Sequence, residues 1–71
     1  MFENPRENRV REHRKSAGIT QAALARAGGV SRQSIVSVEG GDYAPSVYLA
    51  LRLAAALGTT VEALFPLTEE G

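Results

Sequence analysis

The chain has 71 residues, about half a typical domain, so it can build one hydrophobic core and no separate ligand-binding domain. It contains no cysteine, which excludes disulfides and thiolate metal sites and points to a reducing compartment; a domain this small without staples relies on well-packed helices or on association. Eight basic side chains balance eight acidic ones, which taken alone argues against DNA, because phosphate neutralisation dominates DNA binding.

The distribution of charge removes that objection. Residues 1–38 carry seven Arg and Lys against three Glu, a balance of +4, and residues 39–71 carry one Arg against five acidic side chains, a balance of −4. The two halves are expected to face different things. No apolar run approaches the roughly 18 residues of a membrane span, and the start Met-Phe-Glu-Asn-Pro lacks the basic-then-apolar pattern of a signal sequence. A cytoplasmic protein without membrane contact is expected.

Asn4-Pro5-Arg6-Glu7 reads as a helix start, with Asn4 as N-cap, Pro5 at the first helical position and Glu7 completing a capping box. This first helix is expected to run to about Ala17, with Gly18 supplying the left-handed residue that ends helices and Ile19 following as an apolar anchor. Thr20 caps a second helix from Gln21 to about Ala27, with Leu24 and Ala25 inward, and Gly28-Gly29 breaks it. Ser31 caps a third, with Ile35 and Val38 on its inner face, stopped by Gly40-Gly41. A loop at Asp42-Tyr43-Ala44-Pro45 leads to a fourth helix, Ser46 to Leu57, closed by Gly58. Thr60 caps a short fifth through about Phe65, halted by Pro66. The period is helical throughout, so one all-α domain is expected, with its core at about residues 5–65 and a frayed tail at 68–71.

The second and third helices satisfy together the conditions for a steep crossing over a tight turn. Ala25 is small, Gly29 stands where the turn needs a positive φ, and Val30, Ile35 and Val38 form the wedge beneath the third helix. That leaves Arg32, Gln33, Val36 and Ser37 on the outer face. Their chemistry suits base edges in a major groove: Arg pairs with guanine, Gln with adenine, Ser with several bases, and an aliphatic group with the thymine methyl.

The run Thr20-Gln21-Ala22-Ala23-Leu24-Ala25, then Gly29-Val30-Ser31-Arg32-Gln33-Ser34-Ile35, then Glu39, resembles the Cro/Xre, phage-repressor-like family of helix-turn-helix regulators. The resemblance continues through Tyr43, Pro45-Ser46, Leu49, Ala54, Leu57 and Leu64-Phe65, where it is especially similar to compact stand-alone members of the cytolysin-repressor kind. It spans about residues 9–65 and implies a five-helix lambda-repressor-like fold that binds operator DNA as a homodimer. It further implies that Gln21 contacts a phosphate and braces Gln33, with Ser31 and Ser34 at the start of the reading helix as further phosphate candidates. Val10, Arg14 and Ala17 are spaced to share the packing face of the first helix, so Arg14 needs a partner there; the resemblance supplies Glu39. Many family members carry Asn or a basic residue where this chain has Gly40, Gly41 and Asp42, so one or two phosphate contacts are expected to come from backbone amides or to be missing.

The fourth helix is apolar nearly all round except at Arg52. One face suffices for a core, so the surplus, together with Val61, Leu64, Phe65 and Leu67, is expected to form a dimer interface. An alternative reading is an antitoxin-type or partner-regulated subunit whose apolar surface binds an unidentified second protein. An enzyme is not expected. His13 is the only histidine, the carboxylates do not cluster, and there is neither metal-ligand spacing nor a phosphate-binding glycine loop, so no catalytic residue, metal or cofactor is assigned.

Overall fold

The computed structural model describes residues 8–66. Its elements are α1 (Val10–Ser16), α2 (Gln21–Gly28), α3 (Arg32–Gly40), α4 (Val47–Leu57) and α5 (Val61–Leu64). Local chemistry places most of these boundaries. Thr20, Ser31, Ser46 and Thr60 are each extended, and each hydroxyl accepts from the amide three residues on, at Ala23, Ser34, Leu49 and Ala63. Such caps satisfy donors that a helix start leaves free, each worth about 1 kcal/mol.

Every helix contributes at least one fully buried side chain: Val10 from α1, Leu24 from α2, Ile35 and Val38 from α3, Leu53 from α4 and Leu64 from α5. Leu49, Ala25 and Ala54 complete the cluster, with Ile19, Val30, Val61 and Phe65 packed around it. Ala25 is small as the close approach of α2 requires, and Gly28 extends the same requirement. A Cβ on Gly28 would stand 2.9 Å from Leu49 Cδ1 and 3.4 Å from Leu53 Cδ2, so α4 lies directly against the end of α2.

Two expectations are corrected here. Helix α1 begins at Val10, because two tertiary bonds and one local bond hold the two preceding residues off the helix: Asn8 Nδ2 donates to the Val38 carbonyl at 2.8 Å, Arg9 N–H donates to the Leu64 carbonyl at 2.7 Å, and locally Asn8 Oδ1 accepts from Val10 N–H at 3.1 Å. The cap expected at Asn4, Pro5 and Glu7 lies outside the described residues, as do Leu67 and the tail. The second correction concerns Leu64, which is 0% exposed. Packed in the protomer's own core, it cannot also cover a second chain.

Leu64→Ala is therefore expected to lower the unfolding free energy by about 2–5 kcal/mol, as for other large-to-small core changes. Urea unfolding followed by circular dichroism measures this; a loss below about 1 kcal/mol would remove Leu64 from the core.

Candidate nucleic-acid interface

The turn between α2 and α3 is built around Gly29, which has φ +72° and ψ +30°. Gly29 N–H donates to the Arg26 carbonyl and Val30 N–H to the Ala25 carbonyl at 3.0 Å, a helix-closing pairing in which the first donor, Gly29, is the left-handed residue. The chain then turns at Val30 and restarts at Ser31. Ser31 Oγ accepts from Ser34 N–H and lies 3.1 Å from Ser34 Oγ, so both hydroxyls sit together at the first turn of α3.

With Ile35 and Val38 fully buried, helical geometry turns the other side of α3 outward. Arg32 and Gln33 are exposed, and Val36 and Ser37 are half-buried. The four candidate base readers thus occupy the outer side of one helix.

Behind them lies a polar junction. Arg14 Nε donates to Glu39 Oε2 at 2.6 Å and Arg14 Nη2 to Glu39 Oε1 at 3.3 Å, while Arg14 Nη1 donates to the Ile19 carbonyl at 3.0 Å. The Arg14 side chain is 11% exposed and that of Glu39 5%, so the partnership expected from the packing face of α1 is present. Gln21 differs from expectation. Its Nε2 donates to Glu39 Oε1 at 3.1 Å instead of bracing Gln33, because the carboxylate lies within reach and is the stronger acceptor.

At the far end of α3, Gly41 N–H donates to the Val38 carbonyl and Asp42 N–H to the Ser37 carbonyl at 2.9 Å. Both amides close the helix and neither is available to a phosphate.

Two contributors escaped sequence reasoning. Asn8 ties the entry of α1 to the end of α3; its local signal is an Asn two residues before Val10, from whose N–H it accepts, while the bond to Val38 is long-range. Arg52 also carries a signal, as the one charge on an otherwise apolar helix. Its Nη1 reaches the Gly28 carbonyl at a long 3.4 Å and lies over Gly29, placing a cation at the C-terminus of α2 where the helix dipole favours it.

Two short helices crossing over a left-handed glycine, with polar side chains outward on the second, define a helix-turn-helix DNA-binding fold. The helix-turn-helix family HTH_3 matches residues 10–64, and the chain belongs to it. An HTH-type transcriptional regulator of Methanothermobacter thermautotrophicus is 51% identical over 63 residues, covering 87% of this chain and 91% of the relative. The restriction-modification controller protein C.AhdI from Aeromonas hydrophila superposes with a TM-score of 0.75 at 37% identity, over 80% of this chain and 86% of that one. The P22 c2 repressor, in complex with a synthetic operator, superposes with a TM-score of 0.78 at 34% identity, over 82% and 88%. The protein is a DNA-binding transcriptional regulator of the Cro/C1 type.

Glu39→Ala leaves the Arg14 guanidinium nearly buried without its counter-ion, and is expected to cost about 3–5 kcal/mol. Arg32→Ala, at an exposed position, is expected to change stability by less than about 0.5 kcal/mol. Thermal melts of the two variants compare them directly; equal melting temperatures would show that the junction does not hold the fold.

Proposed function

We propose that the protein is a cytoplasmic transcriptional repressor that binds a near-palindromic operator as a homodimer, with α3 in the major groove. The observation that carries this reading is the two-sidedness of α3. Its inner residues Ile35 and Val38 are fully buried, and its outer side offers Arg32, Gln33, Val36 and Ser37, donors, acceptors and an aliphatic group that discriminate base pairs. Gln21 at the start of α2, with Ser31 and Ser34 at the start of α3, takes the phosphates, since helix N-termini present free amides to anions. Repression follows from occupancy, because a protein seated on a promoter excludes polymerase, and it is supported by the likeness to the P22 c2 repressor with its operator.

Association is supported by the surface of α4. Val47, Tyr48 and Leu51 are 73, 75 and 53% exposed, with Tyr43 beside them in sequence at 46%. An adjoining apolar groove of about 270 Å³ is lined by Ala44, Pro45, Val47, Ala50, Val61 and Phe65. Large apolar side chains concentrated on one helix are characteristic of an interface. Val61 and Phe65 stay in the proposed dimer surface and Val47, Tyr48 and Leu51 join them. A two-fold pair would set the reading helices about 34 Å apart, on successive major grooves.

Selection of bound duplexes from a random pool tests the reading. The expected result is a near-palindromic site, with Arg32→Ala or Ser37→Ala erasing preference at one half-site position and weakening binding by about 1–3 kcal/mol. Weakening that is uniform across sequences would assign the residue to a phosphate instead.

Sedimentation at micromolar concentration is expected to give two chains, and Leu51→Asp to give one. A monomeric parent protein would defeat the homodimer, and co-purification with a second small protein would favour the partner-regulated reading.

A further inference from the structure

The basic half of the chain contains a side chain that neither the reading helix nor the junction uses. Arg11, on the second position of α1, is exposed. It lines a groove of about 420 Å³ together with Arg14, Gln21, Val36, Glu39 and Gly40. This groove is where α1, the start of α2 and the reading helix meet, and one of its walls, Val36, is a candidate base reader.

The charges within it are unequal. Arg14 and Glu39 cancel through their paired bonds, and Gln21 takes up a further lone pair of the carboxylate. Arg11 stands one helical turn before Arg14, and no carboxylate among the described residues forms an ion pair with it. Among the described residues, the groove therefore carries one uncompensated positive charge beside the reading helix.

We propose that Arg11 seats a backbone phosphate of the bound duplex in the groove beside Val36, positioning the reading helix without reading sequence. This rests on the DNA-binding orientation proposed above, with the outer side of α3 in the major groove. The amides of Gly41 and Asp42 are already committed to closing α3, so a phosphate contact from α1 takes on weight that the loop does not carry. A guanidinium suits the purpose because it remains charged at all relevant pH values and can bond a phosphate through two N–H groups.

The test is the salt dependence of binding to a selected duplex, measured for the parent protein, Arg11→Ala and Arg11→Lys. Each lost phosphate contact removes about 0.9 from the slope of log K against log salt, equivalent to about fivefold weaker binding near 0.15 M salt. Arg11→Ala is expected to show that loss once per bound protomer, equally for sequence variants of the site, with an unchanged melting temperature. Arg11→Lys is expected to keep most of the slope. An unchanged slope for Arg11→Ala, with the parent still selecting its site, would overturn the Arg11 assignment and leave the DNA reading intact. Altered base preference in Arg11→Ala would also overturn it, by making Arg11 a base reader. A parent protein that selects no duplex would overturn both.

Discussion

The carboxylate of Glu39 is the point on which the arrangement of the first three helices depends. It accepts twice from Arg14 on α1 and once from Gln21 at the start of α2, while the same guanidinium reaches the Ile19 carbonyl in the connection between those helices. One nearly buried anion thus ties α1, the α1–α2 connection, α2 and the last turn of α3. Such a cluster adds little net stability, because desolvating the charges offsets most of their attraction. Its effect is geometric. Apolar packing tolerates sliding by fractions of an ångström, whereas a bidentate pair with a third donor tolerates few arrangements. The angle between α2 and α3 decides which side chains can reach a groove, so a directional lock behind that angle serves recognition more than stability. On the proposed orientation it also neutralises an acidic side chain that would otherwise repel DNA.

What was legible in the sequence divides along the range of the forces involved. The hydroxyl caps at Thr20, Ser31, Ser46 and Thr60 and the left-handed Gly29 depend on bonds spanning at most five residues, so residue type and position suffice to place them. Ile35 and Val38 were legible because a helical period separates inside from outside. Arg14 was legible for the opposite reason: a charge at a packing position demands a partner, and the family resemblance supplied Glu39. The start of α1 was misplaced because Asn8 and Arg9 are held by Val38 and Leu64, partners that local preference does not weigh. Leu64 was assigned to an interface because α5 has only four residues, too few for a period to tell a core position from an exposed one. For Gln21, an amide can donate to either of two neighbours, and only the folded geometry ranks Glu39 ahead of Gln33.

A chain of zero net charge makes an unusual ligand for a polyanion, and the local arrangement explains how it can serve. The helix-closing bonds at Gly41 and Asp42 remove two amides from service, the Arg14–Glu39 pair is internally neutral, and the C-terminal half is acidic. On the proposed reading one protomer makes few phosphate contacts, and its affinity for any duplex would be correspondingly low and sensitive to salt. On the proposed homodimer, two protomers joined through the exposed side of α4 would engage a two-fold site with twice those contacts, and the second half-site would be bound at the high effective concentration that linkage provides. Linkage rewards sequences that satisfy both halves at the correct spacing and leaves isolated half-sites nearly unoccupied. On the proposed reading, the apolar surface of α4 and the sparse phosphate contacts near α3 are parts of one solution: weak protomers gain selectivity by acting in pairs.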